Sequence, residues 1–211
     1  MDAEPTAKHP EERVRPDLRE AILRASLELG TELGEEGLTM RAIAARLGVS
    51  ATALYQHFDG KAAILRAIRV YGGELMERTL APAHEHEDPV MRLSDQSIRY
   101  VGFACDNPWL YRLLFQEEEI DWKRASTEEL QGMMTSHRRT VQSFEDAVAF
   151  GRFRSDVDVA TAPFLLWAAN HGLATLILGG RISETHPAFP VRNQQEFVHA
   201  FVRSVLRGFE P

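Results

Sequence analysis

Residues 38–68 read LTMRAIAARLGVSATALYQHFDGKAAILRAI, and this stretch decides the fold. Thr39 is placed to cap a helix in which Ile43 and Leu47 share one face, and Gly48 to end it. Ser50 caps a second helix, of two turns, with Leu54 and Phe58 inward at i and i+4. Asp59-Gly60 breaks that helix. Lys61 opens a longer one that is expected to bury Ile64, Ile68, Tyr71 and Leu75. With Leu54 and Phe58 turned inward, Ala51, Thr52, Tyr55 and Gln56 lie on the outside and His57 lies at the edge. A two-turn helix has little stability of its own, so it depends on the scaffold behind it. Its outer face offers a hydroxyl, a phenol, an amide and an imidazole, which suits a partner dense in hydrogen-bonding groups.

The same period extends outward in both directions. Leu18, Ile22, Ala25, Leu29 and Leu33 recur at helical spacing behind Asp17, a plausible N-cap, and Gly34 and Gly37 bracket the stop. This divides the chain into an N-terminal arm (1–16), a three-helix unit (17–62) and a larger helical part (63–211). Beyond residue 81, Pro82 and HEHED (84–88) mark a break. Pro89 suits the first turn of a fifth helix reaching about Asp106, and Asn107-Pro108 starts a short sixth. An acidic loop, QEEEIDWKRA (116–125), precedes a seventh helix opened by a Ser126–Glu129 capping box. Asp156 or Asp158 opens an uncharged eighth, and a ninth runs from about Asn193 to Gly208. No strand-period run or repeat interrupts this pattern, so the expected fold is all-α with about nine helices.

A net charge of −7 looks wrong for a nucleic-acid binder until it is divided. Residues 37–70 hold Arg41, Arg46, Lys61, Arg66 and Arg69 against Asp59 alone, a local +4 that leaves −11 elsewhere. In a helix–turn–helix the second helix enters the DNA major groove, where amide and hydroxyl groups such as Gln56 and Thr52 read base edges. Thr39, Arg41, Tyr55, His57 and Lys61 would then flank the groove and meet phosphates. The plain alternative is a pair of short surface helices whose outer faces are polar because they are wet.

The pattern in 38–68 closely resembles the DNA-binding domain of TetR-type transcriptional regulators. The matching features are Thr39 as the cap, the Gly48-Val49-Ser50 turn, Leu54-Tyr55-Gln56-His57-Phe58, and Lys61 opening the fourth helix. Met40 and Gly60 depart from the usual residue types and weaken a phosphate contact at most. The resemblance implies DNA contacts from Thr39, Arg41, Ser50, Ala51, Thr52, Tyr55, Gln56, His57 and Lys61. In the second half, Trp167 with His171-Gly172, and NPWLYRLLF (107–115), resemble a TetR C-terminal class named for its Trp-His-Gly signature. That implies a homodimer on a palindromic operator, released by a small-molecule effector, with no cofactor and no metal. An effector-free DNA binder of the same fold is the alternative, and ligand-dependent release from DNA discriminates the two.

Candidate pocket residues are Phe103, Trp109, Phe115, Met133, Met134 and Phe144, with Trp167, Asn170 and His171 on the eighth helix. Core packing is the plain reading of each. The eighth helix is apolar nearly all round and needs cover on both sides. Leu173, Leu176 and Ile177 on it, with Phe197, Val198, Phe201, Val202 and Val205 on the ninth, are the expected dimer interface. The residues on the ninth make a stripe too wide for one intramolecular contact.

His84, His86 and Asp88 are too divergent on a helix to share an ion easily. Nothing marks an enzyme: there is no phosphate loop, nucleophile elbow or HExxH. The single cysteine, Cys105, excludes an internal disulfide and fits a reducing, cytoplasmic setting. The N-terminus has no apolar signal region. Val159–Gly180 holds twenty-two residues without a formal charge, but Pro163, Asn170 and His171 favour a helix buried in protein over a membrane span.

Overall fold

A computed structural model describes residues 17–115, 127–188 and 190–211; side chains at 128–130, 132 and 133 are also outside the description. The expectations for the arm at 1–16, the loop at 116–125, the Ser126–Glu129 box and Met133 therefore lie outside the described residues. Nine α-helices are present among them, with no strand beyond one isolated bridge between Ser183 and Pro190. They are α1 (Leu18–Gly37), α2 (Met40–Leu47), α3 (Ala51–Tyr55), α4 (Lys61–Leu80), α5 (Pro89–Asp106), α6 (Pro108–Phe115), α7 (Thr127–Ala149), α8 (Ala162–Leu178) and α9 (Gln194–Arg207). A 3₁₀ turn, Ala81–Glu85, joins α4 to α5. No helix among the described residues is long and apolar enough to cross a membrane.

The caps act where the sequence places them. Asp17 accepts from Arg19 N, Thr39 from Ala42 N, Ser50 from Ala53 N and Asn193 from Glu196 N. Gly48 closes α2 at φ 67°, the left-handed geometry that glycine tolerates best. Ile22, Leu29, Leu38, Ile43, Leu54, Phe58, Ile64 and Ile68 are buried and give α1–α4 their core. Leu33 departs from the expected stripe: it sits beside a kink at Gly34 and is 58% exposed.

Two other departures share one cause. The buried face of α4 runs Ile64, Ile68, Gly72, Leu80, while Tyr71 is exposed and Leu75 half-buried. α6 packs on this face, and a Cβ at Gly72 would lie 2.8 Å from Leu110 Cδ1. On the other side α6 packs on α1, where a Cβ at Gly30 would lie 2.3 Å from the Trp109 ring. Two glycines thus let α6 wedge between α1 and α4. Arg69 Nε of α4 reinforces the seam by donating to Leu113 O of α6 at 3.2 Å.

α5 is the centre of the larger part and packs against α4, α6, α7, α8 and α9. α8 starts later than expected, at Ala162, which leaves Pro163 in its first turn. The Asp158 carboxylate accepts from Ala160 N and from the Thr161 hydroxyl in the turn before it. The end of α9 is held by Arg154, which donates to Gly208 O, and by packing of Phe209 on Phe144 and Phe153.

Candidate nucleic-acid interface and ligand-domain cluster

α3 is shorter than its sequence suggests. Its α-helical hydrogen bonding covers Ala51–Tyr55, and Gln56 and His57 stand in the turn that follows. Both His57 N and Phe58 N donate to Leu54 O, so Phe58 still turns inward. Thr39, Arg41, Ser50, Thr52, Tyr55, Gln56 and His57 are all exposed, and Ala51 and Lys61 are half-buried. The expected DNA-contacting residues thus lie on α2, α3, the adjoining turns and the first residue of α4, all of them exposed but Ala51 and Lys61.

The local charge is less available than a count of residues suggests. Arg46 forms two hydrogen bonds with the Glu32 carboxylate, at 2.6 and 3.1 Å, and lies 3.5 Å from Glu28. That pairing lowers the Glu32 pKa, through the hydrogen bond first. Lys61 Nζ donates to Glu35 O at 2.7 Å and lies 3.4 Å from Glu35 Oε1, tying the start of α4 to the end of α1. With Arg69 turned to α6, the exposed cations of this region outside these pairs are Arg41 and Arg66. Sequence reading missed this, because the partners lie 14 and 26 residues away on α1.

In the larger part the expected pocket residues separate into two groups. Phe103, Trp109 and Phe144 belong to the packed core: Phe103 is 1% exposed, Trp109 faces Gly30, and Phe144 packs on Phe153 and Phe209. Met134 is exposed. Phe115, Trp167, Asn170 and His171 come together with two residues not anticipated, Tyr100 and Tyr111. The Trp167 and His171 rings stack at 5.1 Å and 25°, and His171 and Tyr111 at 5.6 Å and 28°. Phe115 meets His171 edge-on at 5.6 Å. His171 Nδ1 lies 2.7 Å from the Tyr111 hydroxyl and 3.2 Å from that of Tyr100.

Burial lowers the His171 pKa, so the imidazole is neutral near pH 7. Burial pushes the Tyr100 pKa up to about 12 and raises that of Tyr111 as well. Both hydroxyls therefore keep their protons, and both lie within hydrogen-bond reach of Nδ1 of the neutral imidazole. Beside this cluster Asn170, 5% exposed, donates through Nδ2 to Ser97 Oγ at 2.9 Å. Periodicity gives no hint of Tyr111: it lies in PWLYRLLF, where nearly every residue is apolar.

The expected interface residues also divide. Leu173, Val198 and Val202 are buried within the chain itself, because α8 and α9 turn them toward α5. Leu176 is 48% exposed, and Ile177, Phe197, Phe201 and Val205 are half-buried. Leu165, Ala168, Gly172 and Leu176, spaced three and four apart, form an exposed apolar stripe on α8. HEHED has structural roles: Asp88 caps α5 and pairs with Arg152, and His86 Nε2 lies 3.2 Å from Asp95.

Comparison with known proteins agrees with this architecture. The sequence model described as bacterial regulatory proteins, tetR family, matches residues 22–68, and that of the tetracyclin repressor-like C-terminal domain matches residues 94–205. The chain belongs to the TetR family, whose members are non-enzymatic, DNA-binding transcriptional regulators. It is 46% identical over 71 residues to the tetracycline repressor protein class C of Escherichia coli, a match covering 34% of this chain and 29% of that one. The tetracycline repressors it matches are thus covered over about a third of their length or less. Among solved structures, a protein of unknown function from Rhodococcus sp. RHA1 shares the fold with TM-score 0.79. It is 24% identical, over 96% of this chain and 100% of that one. The TetR family transcriptional regulator PfmR from Thermus thermophilus has TM-score 0.64 at 25% identity, over 90% and 99% of the two chains.

Proposed function

We propose that this protein is a ligand-responsive repressor that binds a palindromic operator in the cytoplasm as a homodimer and is released by a small molecule. The observation that carries this is the pairing of two features in one TetR chain: a solvent-facing α3 surface and an aromatic cluster in the larger helical part. Thr52 and Gln56 read base edges, and Thr39, Arg41, Ser50, Tyr55, His57 and Lys61 position the backbone, with Ala51 against the groove. The unit 17–62 is the DNA-binding domain. α4 starts within it and runs on into the effector and dimer domain, 63–211.

α6 supports a route for coupling. Its Trp109 and Leu110 seat on Gly30 of α1 and Gly72 of α4, while its Tyr111 reaches His171. An apolar or amphipathic ligand entering beside Phe115 and Trp167 displaces α6, and α6 displaces α1 and α4 together. In the dimer, recognition helices must sit about 34–36 Å apart, or a multiple of it, so a change in that spacing costs DNA affinity. The dimer seam is the α8 stripe with the exposed edges of Phe197, Phe201 and Val205. Buried Leu173, Val198 and Val202 support the seam from behind.

The test is reciprocity. Operator must weaken effector binding by the factor by which effector weakens operator binding, and a coupling of about 1–3 kcal/mol is expected. Titration of an effector by tryptophan fluorescence gives both numbers. Equal affinity with and without operator contradicts the repressor reading.

A further inference from the structure

Among the described residues, two buried amide oxygens between α5, α7 and α8 have no donor from the protein itself. Asn170 Oδ1 and Gln96 Oε1 are both sealed from solvent and without a hydrogen-bond partner. Their amide orientations are fixed by their neighbours. Ser97 Oγ donates to Leu93 O at 2.7 Å, so toward Asn170 it can only accept, and Nδ2 is the atom that faces it. Thr140 Oγ1 donates to Ser136 O at 3.0 Å, so it too can only accept, and Gln96 Nε2 faces it at 2.8 Å. In each amide the leftover atom is therefore the carbonyl oxygen. Burying such an oxygen unpaired is unfavourable, so the site calls for an incoming O–H or N–H.

The surroundings define what carries that donor. The Ser97–Asn170 hydrogen bond and the Tyr100–His171 contact set α5 against α8 in one register. Asn170 follows Trp167 by one turn of α8, and Gln96 precedes Tyr100 by one turn of α5. Trp167 remains 39% exposed although Phe164 packs on it at 5.6 Å, and a flat ring laid on the part that Phe164 leaves uncovered extends its stack with His171 favourably. The formal charges nearby are matched by charges of opposite sign. Among the described residues the nearby cations already face carboxylates, Arg92 with Asp146, Arg99 with Asp95, and Arg139 with Glu77, and the buried Arg92 Nε is left without a hydrogen-bond partner of its own. His171 Nδ1 is already engaged by the two tyrosine hydroxyls.

We infer that the effector is a neutral aromatic compound bearing a hydroxyl: its ring joins the Trp167–His171–Tyr111 stack and its O–H donates to Asn170 Oδ1, Gln96 Oε1 or both. This rests on the effector reading above and specifies its ligand class. A carboxylate is disfavoured because it brings charge without a donor, and an aliphatic chain forgoes the stack.

The experiment uses three probes of one shape on the full-length protein: 2-naphthol, 2-methoxynaphthalene and 2-naphthoate. Calorimetry measures binding to the free chain, and fluorescence anisotropy of labelled operator measures release. The inference expects saturable binding of 2-naphthol roughly tenfold or more tighter than that of 2-methoxynaphthalene, since each tenfold step corresponds to one well-made hydrogen bond. Asn170→Leu should erase most of that preference, with a thermal melt confirming a folded chain. Gln96→Leu, which leaves Ser97 and Thr140 with their backbone partners, serves if Asn170→Leu does not fold.

Equal binding of naphthol and its methyl ether would mean that water serves the two oxygens, and would overturn the inference. Preference for naphthoate, or no saturable binding of any probe, would overturn it as well. If naphthoate releases operator and naphthol does not, the ligand class falls while the effector reading stands. If naphthol binds with the expected preference and operator affinity stays unchanged, the ligand site stands and the effector reading falls.

Discussion

Replacing Gly72 or Gly73 of α4 by alanine makes a matched pair of perturbations with opposite expected signs. In a helix interior, alanine is favoured over glycine by about 0.5–1 kcal/mol, because the unfolded chain has less freedom to lose. At Gly73 a new Cβ meets nothing within 4 Å, so Gly73→Ala should be stabilising by that amount. At Gly72 the Cβ would lie 2.8 Å from Leu110 Cδ1, 3.2 Å from Leu110 Cγ and 3.3 Å from Leu114 Cδ1. Leu110 is 2% exposed and held between α4 and α1, so it has little room to give. Overpacking of this kind costs about 1–3 kcal/mol, which cancels or exceeds the alanine gain. At roughly 2–4 °C per kcal/mol for a chain of this size, Gly72→Ala should melt about 2–12 °C below Gly73→Ala. Far-UV circular dichroism melts at one fixed protein concentration measure this, since dimerisation makes Tm concentration-dependent. If Gly72→Ala stabilises as much as Gly73→Ala, α6 does not wedge on α4 as described, and the coupling route through α6 falls with it.

Other perturbations test the remaining parts. Arg41→Ala should weaken binding to every DNA sequence and reduce the salt slope by about one ion, whereas Gln56→Ala should relax one base pair per half-site by about 1–3 kcal/mol. A selected-sequence preference unchanged by Gln56→Ala would remove that residue from base reading. Leu176→Asp puts a charge in the exposed α8 stripe and should give folded monomers that lose operator affinity; wild-type monomer in sedimentation at micromolar concentration would contradict the dimer. Burial holds His84 and His171 below the ordinary 6.5, so as pH falls the unfolded chain takes up protons before the native one does. Native stability should therefore hold above about pH 6.5 and decline below it. Urea unfolding of His171→Gln should show a shallower decline between about pH 6.5 and 5, and an equal slope would contradict the assigned neutral imidazole.

What is legible in the sequence follows from what carries a local signal. Thr39, Ser50, Asn193 and Gly48 specify helix ends through chemistry confined to a few residues, and the helices begin and end near them. The buried stripe of α4 departs from its apolar period after Ile68 because its next member is Gly72, whose contribution is the absence of a side chain. Gly30 is silent for the same reason. Of the candidate site, Phe115, Trp167, Asn170 and His171 are visible as aromatic and polar residues out of place on apolar helices. Tyr100 and Tyr111 join His171 only through contacts 71 and 60 residues apart in the chain. The pairing of Arg46 with Glu32 and of Lys61 with Glu35 is equally non-local, so a count of charges overstates the free positive charge near α3.

The most direct measurement is selection of bound fragments from a random pool of double-stranded DNA by the full-length protein, followed by determination of the chains bound per fragment. The account predicts an enriched inverted repeat whose half-site centres lie about 10–10.5 base pairs apart, or a multiple of this, occupied by an even number of chains. Enrichment of a single unrepeated half-site bound by one chain, or no enrichment over the starting pool, would contradict it.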